Sequence, residues 1–246
     1  VETELRSAGV RVIFSTASDS DEEAVVLQQL LDENIAGLVL WPNANPSQHQ
    51  QALLHRYQDA GIPIVFVDRL VHGIEADYVA SDNYGGTYHL VKHLIELGHQ
   101  RIVYLRSNIR DLKPVEDRQR GYMAAIQEYN LPQLDVLWLN SPRQHAFFET
   151  DIHHLLDACS PSLIEQVIAL LQPMQPLPTA IACVNDALAI ITIRAIQQMG
   201  LRVPEDISVV GFDDISLAAY TSVPLTTARQ DAHELGHVQV DAPAEV

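Results

Sequence analysis

Apolar positions along this chain switch between two periods. Val12-Ile13-Phe14 reads as a short strand. From Asp21 to Glu33, Val25, Val26, Leu27, Leu30 and Leu31 recur as a helical stripe. "GLVLWP" (37–42) is an all-apolar strand, followed by a helix over about 47–60 that closes at Gly61, and then by a strand, "PIVFVD" (63–68). "YGGTYHLVKHLIELG" (84–98) predicts a helix with Asp82 or Asn83 as its N-cap and Gly98 as its stop. "RIVYLRS" (101–107) is a strand, 116–129 a helix and "DVLWLN" (135–140) a strand, before a helical region between about 144 and 171. "AIACVN" (180–185) leads into helix 186–199, closed by Gly200 with Pro204 beyond, and 208–212 is the last core strand.

Continuous apolar strands joined by helices predict parallel sheets covered on both faces, an α/β fold. Polar residues recur where these strands end: Asp68, Asn185 and Asp213. Ligands of parallel sheets gather beyond the carboxyl ends of the strands. Polar ends in both halves of the chain suit two lobes facing a shared cleft.

Composition narrows the function. The chain has 246 residues, 47% of them hydrophobic, enough for one large core or two smaller ones. No apolar run approaches membrane-spanning length. The 15 Lys and Arg against 32 Asp and Glu leave a net charge of −17. So acidic a surface repels a phosphate backbone, which argues against DNA binding by this segment itself. Cys159 and Cys183 have no CxxC neighbours and read as free thiols in a reducing cytoplasm.

Several stretches together resemble one family. "EDISVVGFDDISLAAYTSVPLTTARQ" (205–230) resembles the signature of LacI/GalR-type transcription regulators in their effector-binding region. "SDNYGGTYHLVKHLIELGHQRIVYL" (81–105), "EDRQRGYMAAIQE" (116–128), "TAIACVNDALAIITIRAIQQMGLRVPEDISVVGFDD" (179–214), "DENIAGLVLWP" (32–42) and "GIPIVFVDR" (61–69) follow in the family's order. The resemblance implies a periplasmic-binding-protein-like type I fold of two Rossmann-like lobes with a cleft between them. One lobe would comprise 1–80 plus 229–246 and the other 81–228. It implies an effector sensor, most simply for a sugar or related metabolite, in a cytoplasmic repressor that works as a homodimer. The family's helix-turn-helix domain and the first strand of its first lobe are expected upstream of Val1. The C-terminal end departs too, because "DAPAEV" replaces the expected helix continuation and last strands. The alternative on the same fold is a solute-binding protein of a sugar transport system.

The resemblance also singles out residues. It places an effector contact at Asp213, whose carboxylate can accept two hydroxyl hydrogen bonds. Asp214 is assigned to capping the short helix 215–220. Arg118 is the effector arginine, able to bridge two ligand oxygens, while Arg120 pairs with Glu116 or Asp117. Asn185 offers a donor and an acceptor to a hydroxyl; its other reading is helix N-capping, a role Asp186 could fill instead. Asp68 at the end of its strand, Gln230 at the second crossing and Asn140 at its strand end join the ligand candidates, with Trp41, which reads equally as a ring stacking on a sugar or purine and as a core or interface tryptophan. Rival chemistry is thin. His89 and His93 have a metal-compatible spacing but lack a zincin glutamate, and no GxSxG, P-loop or GxGxxG is present. No catalytic residue, cofactor or metal is assigned.

Overall fold

The computed structural model describes residues 5–6, 9–108, 112–140, 161–231 and 234–236. The chain divides into two compact units, 1–81 with 231–246, and 82–230.

In the first unit a three-stranded parallel sheet has the order β1 (Leu38–Leu40), β2 (Ile64–Val67), β3 (Asp77–Val79). Helices α1 (Ser20–Asp32) and α2 (Gln48–Asp59) pack on each other. The Asp19 carboxylate caps α1 by accepting from the amides of Asp21 and Glu22, and Ser47 caps α2. Leu27, Leu53, Leu54, Tyr57 and Phe66 form the centre of the core. The Tyr57 hydroxyl donates to the Leu27 carbonyl at 2.7 Å, so even this buried polar group ties α2 to α1. The strand expected at Val12–Phe14 is absent. That stretch is irregular with Ile13 and Phe14 exposed, and among the described residues β1 pairs only with β2. Conversely, β3 escapes the sequence pattern: it has three residues at a sheet edge, none of them fully buried.

In the second unit all five strands are parallel, in the order β5 (Leu137–Leu139), β4 (Ile102–Ser107), β6 (Ala180–Cys183), β7 (Ser208–Asp213), β8 (Thr226–Arg229). The chain leaves β4 toward β5 on one side and returns to β6 on the other. The carboxyl ends of β4 and β6 therefore flank a topological switch point, where parallel sheets open a crevice. Helices α3 (Asn83–Glu96) and α4 (Lys113–Glu128) pack together over one face, where Tyr122 of α4 stacks on Tyr104 of β4. Helices α5 (Pro161–Leu171) and α6 (Asp186–Gln198) pack together, and α6 meets β6 through Cys183 and Thr192. The earlier part of the expected helical region, 144–160, lies outside the described residues, and Cys159 with it. Gly98 and Gly200 follow α3 and α6 with φ of +93° and +78°, the left-handed conformation that ends a helix at a glycine.

Candidate functional site

Beyond the carboxyl ends of β6 and β7, Arg118 projects from the first turns of α4. The residue is 3% exposed, yet its charge is fully engaged. Its Nε donates to the Asn83 side-chain oxygen at 2.7 Å and its Nη1 to the Val184 carbonyl at 2.8 Å, just past β6. Its Nη2 lies 3.1 Å from Asp213 Oδ1, and its guanidinium sits 3.8 Å from the centre of the Phe212 ring. A guanidinium taken out of water needs this: opposite charge, carbonyl acceptors and a ring face together offset the lost hydration.

Asp213 ends β7 with a φ of +115°, and Asp214 follows at +54°. Non-glycine residues in that region cost of order 1–3 kcal/mol and persist where surrounding contacts over-determine them. Those contacts are visible. Gln230, just past β8, donates its side-chain amide to Asp213 Oδ1 at 2.5 Å and its backbone N–H to the Asp213 carbonyl at 3.4 Å. The Asp213 side chain keeps 21% exposure against 4% for Arg118, so solvent reaches this cluster mainly where Nη2 meets the carboxylate.

The structure decides between the capping assignments. Asn185 is the N-cap of α6, accepting from the Leu188 amide at 3.0 Å, and it is 1% exposed. Asp186 does not cap. Asp214 does not cap the short 3-10 helix Ser216–Tyr220 either, which has no side-chain cap. Its carboxylate instead takes the Arg229 Nε at 2.6 Å, because its left-handed backbone aims the side chain at β8 rather than at the helix start. Asp82, not Asn83, caps α3 by accepting from the Gly85 amide. That leaves the Asn83 side chain to orient Arg118, a role the sequence did not reveal. Phe212 likewise stands in the sequence only as part of an apolar run. Arg120 pairs with Asp117 at 2.9 Å on the surface.

The remaining candidates lie elsewhere. Asn140, past β5, accepts from the Asn108 side chain at 2.9 Å on an exposed edge. Beside it, Arg106 of β4 bonds Glu116 and Gln119 and lies 4.5 Å from the Trp138 ring. In the first unit, Asp68 follows β2 with a φ of +62°. Its carbonyl accepts from the Tyr78 hydroxyl and its amide donates to the Val79 carbonyl, which pins the strand end. Trp41 follows β1, half-exposed, with the Arg69 guanidinium 5.4 Å from its ring. His89 turns its Nδ1 to the Gly85 carbonyl at 2.7 Å, a helix contact, and no group of metal-ligating side chains occurs among the described residues.

Comparison with known proteins follows the same lines. The family model of the periplasmic binding protein-like domain matches residues 91–243. The chain is 33% identical over 242 residues to the arabinose metabolism transcriptional repressor of Geobacillus stearothermophilus, covering 96% of this chain and 61% of that protein. It is 33% identical over 227 residues to the HTH-type transcriptional repressor PurR of Aliivibrio salmonicida, covering 92% and 62%. A LacI family transcriptional regulator from Enterococcus faecium, solved with bound ribose, superposes with a TM-score of 0.74 at 25% identity, covering 97% of this chain and 80% of that one. The chain thus spans about three fifths of the length of these two curated relatives.

Proposed function

The chain belongs to the periplasmic binding protein-like domain family found in LacI/GalR-type regulators, and on that premise we propose that it is the effector-sensing part of a transcriptional repressor. A small hydroxylated metabolite, most simply a sugar, binds at the carboxyl ends of the strands and is not transformed. The observation that carries this reading is the Asp213–Arg118–Gln230 cluster, placed at the carboxyl ends of β7 and β8 with Asp213 held at positive φ. Asp213 accepts the ligand's hydroxyls, and Arg118 Nη2 shares a ligand oxygen with Asp213. Asn185, Asn140, Asp68 and Trp41 are the further contacts we assign. The bound ribose of the Enterococcus faecium regulator supports a sugar of this class.

The regulatory step is population shift. A ligand that binds one arrangement of the protein better than another moves the equilibrium by no more than that difference. Effector and operator affinities are then coupled reciprocally, typically by about 1–3 kcal/mol. The DNA contact belongs to a part of the regulator outside this chain, whose own charge of −17 opposes it. The whole regulator acts as a cytoplasmic homodimer on a two-fold operator. No helix among the described residues is long and apolar enough to cross a membrane.

A thermal-shift screen against a sugar and nucleoside panel tests the reading, since a ligand bound only by the native state raises its apparent stability. We expect a pentose or hexose to raise the midpoint, and Asp213→Ala and Arg118→Ala to abolish the rise. A full response in both variants would refute the site, and a strict monomer in sedimentation would refute the dimer.

A further inference from the structure

Asp186 is wholly buried at the start of α6, one residue after the cap. With Asn185 occupying the helix amide, the Asp186 carboxylate turns away from its own helix. Its Oδ2 accepts from the Ile215 amide at 3.0 Å, and its Oδ1 accepts from the Thr227 hydroxyl of β8 at 2.6 Å. Thr227 Oγ1 in turn accepts from the Asp214 amide at 3.2 Å. One carboxylate therefore gathers both backbone amides that follow Asp213, one directly and one through Thr227. These are the amides of the turn in which Asp213 and Asp214 hold positive φ. The carboxylate also lies flat on β7. A Cβ built on Gly211 would stand 2.2 Å from Asp186 Oδ1, so a side chain there and this carboxylate exclude one another.

We propose that Asp186 is the positioning residue of the strand end: by clamping residues 214 and 215 and Thr227 together, it holds Asp213 where its carboxylate meets Arg118 and Gln230. This rests on reading Asp213 as a ligand contact. The clamp joins α6, β7 and β8, so it spans the strand that carries Asp213 and the strand that leads to Gln230.

Among the described residues, the charged groups around it are two carboxylates. Asp213 and Asp214 approach from β7 and its turn, and each is neutralised locally, by Arg118 of α4 and Arg229 of β8. Burial pushes the Asp186 carboxyl up, against the Thr227 and Ile215 hydrogen bonds that favour its charge and with the two neighbouring aspartates, to about 7. Protonated, it keeps the Ile215 amide on one oxygen and donates to Thr227 Oγ1 from the other, so two charge-assisted hydrogen bonds become weaker neutral ones. The clamp is strongest in the deprotonated form, so sugar affinity falls as pH drops below about 7.

Two shape-conserving variants test this: Asp186→Asn, with one acceptor turned into a donor, and Thr227→Val, without the hydroxyl. Amide exchange of the ligand-free protein reads the clamp, and calorimetry with the panel sugars from pH 6 to 8.5 reads its consequence. We expect native circular dichroism, tenfold or greater loss of protection at Asp214 or Ile215, and tenfold or greater loss of affinity for any sugar that binds the wild type. The wild type's pH dependence should flatten in Asp186→Asn, and Thr227→Ser should restore wild-type behaviour. Unchanged protection in both variants overturns the proposal, as does lost protection with unchanged affinity. A panel in which no sugar binds the wild type would defeat the sugar-sensor reading, while the exchange data still decide the clamp.

Discussion

Replacing Gly121 by alanine adds one methyl group where α3 and α4 come closest. That Cβ would stand 2.2 Å from the Tyr84 carbonyl oxygen and 3.0 Å from the Tyr88 amide nitrogen, both backbone atoms of α3. A carbon needs well over 3 Å from such atoms, and a backbone carbonyl inside a helix cannot swing aside, so the helices must part by about 1 Å. Overpacking of this kind costs about 1–3 kcal/mol, and the upper end applies when the obstacle is backbone. Alanine returns about 1 kcal/mol through its better helix propensity. The net expectation is a loss of about 2 kcal/mol, a fall in midpoint of about 4–8 °C for a protein of this size. Function should fall too, because Arg118 lies one turn before Gly121 on α4 and its Nε is held by Asn83, beside Tyr84 on α3. Separating the helices stretches that 2.7 Å bond. Urea unfolding and calorimetry of Gly121→Ala, with sugar binding measured beside them, check both parts. A variant as stable as the wild type or more so would show that propensity outweighs the close approach and would refute the packing argument.

Gly86→Ala should act on the site more than on stability. Its Cβ would meet Phe212 Cε2 at 2.7 Å, pushing the ring from beneath Arg118. A side-chain ring can shift, so we expect a cost of about 1 kcal/mol in urea unfolding but a clear loss of sugar affinity; unchanged affinity would contradict the role of Phe212. Asp186 also predicts a stability profile. Its folded value of about 7 stands above the ordinary 3.8, so the native state holds a proton that the unfolded state has released between those values. Its contribution is present below about pH 4 and lost as pH rises through 7, by up to about 4 kcal/mol. Relative to wild type, Asp186→Asn should therefore gain stability from pH 4 to 8 in urea melts, and a constant difference would refute the raised value. Cys183 is buried, and burial pushes its thiol up to about 12. In a Cys159→Ser background it should react with a thiol reagent only on unfolding; prompt labelling of the native protein would contradict that burial.

Local sequence carried much of the architecture. Strands 102–107 and 208–213 are legible as apolar runs because both faces of a parallel strand are covered, and helix ends at Gly98 and Gly200 are legible because capping is settled within a few residues. Asp68, Asn185 and Asp213 could be picked out as polar groups ending apolar runs, and Arg118 and Gln230 through motif resemblance. Tertiary structure alone decided what those groups do. Asp186 and Asp214 both look like helix caps, yet their partners lie 41 and 15 residues away on β8, and no pattern of period 2 or 3.6 reaches so far. Val12–Phe14 has a strand's composition but pairs with no strand among the described residues, while β3 has a partner in β2 and little composition to betray it. A strand is completed by its partner and a buried charge by its counter-group, and the chain brings both into place only by folding.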